Sequence, residues 1–146
     1  MARLSEKSLL AIAAVMDVAL HARGQPVAAK SLAERHGLPP RHLEPVLQAL
    51  VHAGILKGVR GPRGGYELAR ERRRISVAEI VGIAEIAEED IKRKVPPLVN
   101  KVIAPAVAEA EKSFEHALGN VTIDKLCQNA EKSGLTEPAY GPDFNI

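Results

Sequence analysis

Apolar side chains recur at three- and four-residue spacing along the first fifty residues, which places them on one face of successive α-helices. The first segment begins after Ser5, a helix-capping residue, and is predicted to run to about Ala22. A short second helix is expected over 27–36, with Gly37 as its stop. The inward positions of these two helices are Leu9, Ile12, Ala13, Met16, Leu20, Leu32 and Ala33.

A third helix is predicted to follow directly and to end near Ala53, before Gly54. Its inward positions are Leu43, Val46, Leu47 and Leu50. Pro45 lies inside this segment, and a proline in a helix interior removes a hydrogen bond and costs about 3 kcal/mol. Because proline is harmless at the first helical position, we expect a tight turn over 40–44 and a regular helix from Pro45 onward.

Two short β-like runs, 55–60 and 65–69, flank the loop Gly61–Pro62–Arg63–Gly64. A glycine-rich loop of this length between two such runs predicts a β-hairpin. Three helices followed by a hairpin are typical of a winged helix-turn-helix, in which the third helix enters the DNA major groove. The predicted fold class is therefore mainly α with a small β-hairpin, the hairpin serving as the wing.

The remainder of the chain is predicted to be helical on both sides of a charged connector at 88–97. Ser76 caps a fourth helix to about residue 87, and a last short helix follows Thr122. Between them, the segment 98–118 is long and amphipathic, and Pro105 bends or restarts it. Its apolar face is larger than one small domain can cover, which predicts a dimerisation helix.

We therefore expect three regions along the chain. They are a winged helix-turn-helix DNA-binding domain over 1–87, a dimerisation arm over 88–132 and a flexible tail over 133–146.

Charge separates the chain into two parts. Up to residue 75 there are thirteen Lys and Arg against six Asp and Glu, and the remainder has seven against twelve. A net charge of +7 on the front part indicates a polyanionic partner for that part alone. No nucleophile–base motif or phosphate loop is present, so we do not expect an enzyme. With no signal pattern, no long apolar run and one cysteine, a cytoplasmic protein without membrane contact is expected.

Four stretches of the sequence resemble the IscR/NsrR/CymR-type winged-helix transcription regulators of bacteria. They are MDVAL (16–20), LAERHGLPPRHLEPVLQALVHAGIL (32–56), VRGPRGGYELAR (59–70) and ISVAEIV (75–81). The resemblance covers roughly residues 1–86, and the long arm matches in pattern only. It implies a homodimer that binds a palindromic site in double-stranded DNA and acts as a repressor. It also implies that Glu44 helps to recognise bases and that Arg60 is the wing arginine.

The candidate DNA-binding residues lie near the first helix, at the start of the third helix and in the wing. They are Lys7, Arg41, His42, Glu44, Arg60, Arg63 and Tyr66. For the arginines, the alternative is ordinary solvated charge. For Glu44, it is an acid that favours a helix N-terminus. Tyr66 is interpreted as core support for the wing whose hydroxyl can reach a phosphate. The run 72–74 is interpreted as solvated, with phosphate binding as the alternative.

Many members of the resembled family bind an iron–sulfur cluster through three cysteines and a further ligand between the fourth helix and the long helix. Here residues 89–104 contain neither Cys nor His, and the five histidines show no metal-site spacing. We therefore expect no cofactor and no metal site.

Cys127 lies on the apolar face of the last helix, where a buried inert thiol is the default and a redox thiol is the alternative. Control by a partner protein or small ligand, a thiol switch through Cys127, and a winged-helix protein-interaction module all remain open.

Overall fold

The structure, a computed structural model, describes residues 4–88 and 96–135. Six helices and one hairpin follow in the predicted order, and the predicted fold class is confirmed. A 3-10 turn (Arg72–Arg74) precedes the fourth helix, and a π-helical turn (Val99–Ile103) precedes the fifth. The elements are α1 (Glu6–His21), α2 (Ala29–His36), α3 (Pro40–His52), β1 (Leu56–Val59), β2 (Gly65–Leu68), α4 (Val77–Glu88), α5 (Ala104–Gly119) and α6 (Ile123–Lys132).

The predicted helix caps form. The Ser5 hydroxyl accepts a hydrogen bond from the Ser8 N–H at 3.1 Å, and Ser76 and Thr122 accept the corresponding bonds of α4 and α6 at 3.2 and 3.1 Å. Gly37 ends α2 in the left-handed conformation, with φ of 61°, which a residue with a Cβ adopts at a cost. Most of the expected connector and most of the expected tail lie outside the described residues.

The expected start of α3 at Pro45 is wrong, because the helix begins at Pro40 and continues through Pro45. The physical reason is the core. Leu43 is fully buried together with Val46, Leu47 and Leu50, and these positions share one face only if the helical frame is unbroken. Pro45 is the sixth helical residue and exposed, so it removes one hydrogen bond, to the Arg41 carbonyl.

The hairpin pairs Leu56 with Leu68 and Val59 with Gly65, so Arg60 belongs to the loop. A third, strand-like segment joins it: Tyr66 and Val27 exchange two backbone hydrogen bonds, at 2.8 and 2.9 Å. A Cβ on Gly65 would collide with the Val27 carbonyl. The glycine therefore allows β2 to approach the α1–α2 connection, which anchors the wing to the helical domain.

The core extends beyond the predicted DNA-binding region. Ile123 and Cys127 of α6 are fully buried in the same cluster as Val15 of α1, Leu47 of α3 and Ile80 of α4. Leu9, expected at an inward position of α1, is instead 54% exposed. Two backbone hydrogen bonds secure this junction, from the Val77 N–H to the Val121 carbonyl at 2.9 Å and from the Ile123 N–H to the Ile75 carbonyl at 3.0 Å. The last helix, α6, is therefore part of the core of the predicted DNA-binding domain, although it follows α5 in the chain.

The long segment changes helical type at Pro105, as expected from the sequence. The Ala104 N–H bonds to the Val99 carbonyl, five residues earlier, so a wide turn precedes the proline and the regular α5 starts beside it. Several apolar side chains of this segment remain exposed: Leu98 (64%), Val102 (57%), Ile103 (46%) and Val107 (42%). No helix within 4–88 and 96–135 is long and apolar enough to cross a membrane.

Candidate nucleic-acid interface

Three of the predicted DNA-binding residues meet in one groove between the start of α1 and the start of α3. Lys7 comes from the first turn of α1, and Arg41 and His42 come from the first turn of α3. The α1–α3 groove is lined by Glu6, Lys7, Leu10, Leu38, Arg41, His42 and Pro45. The lining combines the cations Lys7 and Arg41 with one acid, Glu6, and apolar side chains, so a phosphate beside the cations and aliphatic contact with a sugar are both compatible with it.

The outer face of α3 presents Arg41, Glu44 and Gln48, all exposed and spaced by three and four residues. Because the helix begins at Pro40, Glu44 lies beyond the first turn, where the macrodipole contributes little. Arg and Gln pair with guanine and adenine edges, and a carboxylate accepts from cytosine N4. Gln48 was not among the residues predicted from the sequence, because only the start of α3 at Pro40 places it on one face with Arg41 and Glu44.

The wing places its two arginines differently. Arg60 is exposed at the end of β1, whereas Arg63 at the tip borders a second groove, the wing groove, facing the α1–α2 connection. Tyr66 is half-buried and packs against the core, so its predicted support of the wing agrees with its position. The wing groove is lined by His21, Gln25, Pro26, Val27, Ala28, Ser31, Arg35, Pro62, Arg63 and Gly64.

Partial burial lowers the pKa of His21 in this groove, although Asp17 opposes the effect.

Ion pairing separates three predicted interface arginines from three arginines that follow the wing. Arg70, Arg72 and Arg73 form ion pairs with acids at 2.9, 2.8 and 2.6 Å. Within the described ranges, no such pair forms at Arg41, Arg60 or Arg63, and none of them has another protein partner. These three exposed arginines therefore carry positive charge that no acid within the described residues compensates.

The interpretation of 72–74 as a solvated run is wrong for its first member. Arg72 contacts Asp124 at 2.8 Å and Glu131 at 3.6 Å, both on α6, and its side chain is 30% exposed. Arg73 remains 70% exposed and pairs only with its neighbour Glu71. The acids that hold Arg72 lie more than fifty positions later in the chain, so local charge patterning did not reveal them.

Cys127 has no exposed surface and lies on α6 in the core. Burial raises the pKa of the Cys127 thiol, and the nearby Arg72 guanidinium opposes the rise. Arg72 precedes Cys127 by 55 positions in the sequence, so the residues around the cysteine did not reveal this cationic neighbour. One enclosed thiol in the whole chain does not fit the multi-thiolate ligand set of an iron–sulfur cluster.

A buried acid on α1, Asp17, also was not among the predicted site residues. It contacts Arg35 and His36 in the last turn of α2, next to the wing groove. Its signal in the sequence was a charge interrupting the apolar run 9–20, but its partners are eighteen and nineteen residues away.

Comparison with known proteins agrees with this architecture. The HTH-type transcriptional regulator IscR of Xenorhabdus nematophila is 40% identical over 83 residues, which are 57% of this chain and 51% of that protein. IscR of Vibrio cholerae is 36% identical over 83 residues, 57% of this chain and 48% of the relative. The chain thus spans about half the length of the curated relatives it matches.

Solved structures match over more of the chain. The T. potens IscR structure has a TM-score of 0.72 and 34% identity and covers 90% of both chains. CymR, the global cysteine regulator of B. subtilis, has a TM-score of 0.70 over 88% of this chain and 98% of its own, and at 22% identity it supports the fold.

The family model described as Rrf2, iron-dependent transcriptional regulator, matches residues 4–129. The resemblance drawn from the sequence motifs is confirmed, and the chain belongs to the Rrf2 family of transcriptional regulators.

Proposed function

We propose that this protein is a homodimeric DNA-binding repressor that recognises a palindromic promoter site with α3 and the wing. The observation that supports this most directly is the uncompensated charge of Arg41, Arg60 and Arg63, beside a helix-turn-helix of matching topology. Phosphates supply the opposite charge and dominate the affinity of such surfaces. In this proposal the DNA-binding unit is 1–87, the dimerisation arm is 88–132, and 133–146 is a tail. The last helix of the arm, α6, packs into the core of the DNA-binding unit.

Each candidate residue has a distinct task in this proposal. The outer face of α3 enters the major groove, where Arg41, Glu44 and Gln48 contact base edges. His42 and Lys7, on the rim of the α1–α3 groove, contact the backbone beside it. Arg60 and Arg63 extend this contact to the flanking minor groove or its phosphates, where the negative potential is strongest. Tyr66 supports the wing.

The proposed dimer interface is the apolar face formed by Leu98, Val102, Ile103 and Val107. These exposed side chains are spaced as one stripe along the π-helical turn and the start of α5. A second copy related by a two-fold axis would cover the same stripe on each partner. Such a dimer presents two recognition helices, which is the physical basis for a palindromic site.

The proposed regulation involves no iron–sulfur cluster, since the single cysteine of the chain does not provide the several thiolates that bind one. A partner protein or small ligand is the effector we favour over a thiol switch, because Cys127 is enclosed and burial raises its pKa. A protein-interaction module built on the same fold is less well supported, because the front part has a net charge of +7.

Selection of duplexes from a random library by the purified protein tests the proposal. We expect enrichment of an inverted repeat. Footprinting should then locate the same sequence upstream of the protein's own gene. Affinity for the selected duplex should fall steeply with salt. Failure to enrich any sequence, with salt-independent binding, would contradict the proposal and favour the interaction module.

A further inference from the structure

Helix α2, the first helix of the helix-turn-helix, has few contacts that define its orientation. It has eight residues, only Leu32 and Ala33 are buried, and its N-cap, Ala28, forms no side-chain hydrogen bond. Helices this short are marginal in isolation and depend on tertiary contacts. Leu32 and Ala33, with the partly buried Ala29, fix the distance of α2 from the core, but two of these three side chains are single methyl groups and constrain its rotation poorly.

The missing constraint lies in a cluster formed by Asp17, Arg35 and His36. Arg35 binds the carboxylate of Asp17 with both arms of its guanidinium, Nε at 2.8 Å and Nη2 at 2.6 Å. The His36 Nε2 lies 2.9 Å from the same carboxylate, and since an ionised carboxylate only accepts, the imidazole donates. Asp17 itself is 5% exposed.

Position in the chain gives this cluster its consequence. Arg35 and His36 are the last two residues of α2, and α3 begins only four residues after His36. Gly37 fixes the turn between them in the left-handed conformation, and the Leu38 N–H bonds back to the Ala33 carbonyl at 3.0 Å. The orientation of the last turn of α2 is thereby transmitted to the first turn of α3, where Arg41 and His42 lie.

We propose that Asp17 is a positioning residue for DNA recognition, which fixes the end of α2 on α1 and so sets the placement of α3. The inference rests on the proposed function. A carboxylate suits this task because it has two oxygens and three directional charge-assisted bonds, whereas apolar packing alone would permit rotation. Buried ionic groups are retained in some proteins for such specificity rather than for stability.

The test compares Asp17→Asn with the parent on two 30-base-pair duplexes, the selected operator and a scrambled sequence of the same composition. Asparagine keeps the shape but has one acceptor oxygen and no charge. We expect the ratio of operator to scrambled affinity to fall about tenfold or more, comparable to one or two mismatched base pairs. Affinity for the scrambled duplex and its salt slope should be unchanged, because the phosphate-contacting cations remain.

A matched control is Asp124→Asn, which breaks another carboxylate–arginine contact, 2.8 Å to Arg72, on α6 and away from α2 and α3. It should lower thermal stability and leave the ratio intact. All binding is measured well below the unfolding midpoint, where a purely structural loss leaves the folded protein's ratio unchanged. An unchanged ratio for Asp17→Asn, or an equal fall for Asp124→Asn, overturns the inference.

If Asp17→Asn does not fold, His36→Ala replaces it. The His36 side chain is 29% exposed, and its loss removes one of the three bonds while Arg35 keeps the other two. A smaller but measurable fall of the ratio is expected, and an unaltered ratio contradicts the positioning role. If the parent itself enriches no operator, it is the proposed function that fails.

Discussion

Replacing Pro45 by Ala is expected to raise the free energy of unfolding by about 2 kcal/mol. Alanine is favoured over proline in a helix interior by about 3 kcal/mol, because proline lacks the N–H and crowds the preceding turn. Here the missing bond is the one to the Arg41 carbonyl, since Pro45 is the sixth residue of α3. Proline also restricts the unfolded chain, which favours the parent by about 0.4–1 kcal/mol. Pro45 is exposed, so little packing is lost.

Urea unfolding followed by circular dichroism measures this change, with all proteins at one concentration because association shifts apparent stability. Pro40→Ala is the matched control. Pro40 occupies the first helical position, where no hydrogen bond is missing, so its replacement should be neutral or slightly destabilising. If Pro45→Ala and Pro40→Ala change the free energy of unfolding equally, α3 does not run through Pro45 but starts at that residue.

Further outcomes are expected at the wing, at the proposed dimer interface and at Cys127. Arg60→Ala should weaken operator binding by about 1–3 kcal/mol, and Arg63→Ala should mainly reduce the salt slope by about one; parent-like binding by both would remove the wing from the interface. Val102→Lys should yield a monomer in sedimentation at micromolar concentration while the circular dichroism spectrum stays unchanged. A persisting dimer would mean that another surface forms the interface. Cys127→Ser should leave operator affinity unchanged with and without oxidant. The parent protein purified anaerobically should be colourless, and a visible absorption band with stoichiometric iron would contradict the expectation that no iron–sulfur cluster binds. Because the folded thiol has a raised pKa, stability should fall as the pH rises above about 8.5, and the serine variant should lack this part of the pH dependence.

Local chemistry determined most of the fold. Helix caps such as Ser5 and Thr122, and the left-handed Gly37, act within one turn of their own position, so their partners could be inferred from neighbouring residues. The hairpin followed from the glycine-rich loop 61–64 between two short β-like runs, whereas the close approach of Gly65 to Val27 is a tertiary contact. That the segment 98–118 is amphipathic followed from periodicity. The structure then defined which large apolar side chains are exposed in the single chain, and of these only Val102 was on the face expected from the spacing.

The candidate site was predictable only in part. The clustering of Lys7, Arg41 and His42 in one groove agrees with their selection from the sequence, although their contact with DNA stays a prediction. Gln48 was missed because an exposed amide in a helix has no local signature of its own. Its significance depends on sharing a face with Arg41, and that face is defined only when the start of α3 is known.

The sequence by itself determined which segments are helical, where α1, α4 and α6 begin and that a glycine-rich wing follows the third helix, because these features depend on interactions within a few residues. Helix α2 begins two residues later than predicted, since Val27 pairs with Tyr66 instead. Tertiary structure decided the start of α3 through the burial of Leu43, which outweighs the preference of Pro45 for a helix terminus. It also decided that Arg72 is held by α6 and that Asp17 binds the end of α2. Ion pairs form between side chains that are close in space, and the order of charges along the sequence does not show which of them are close.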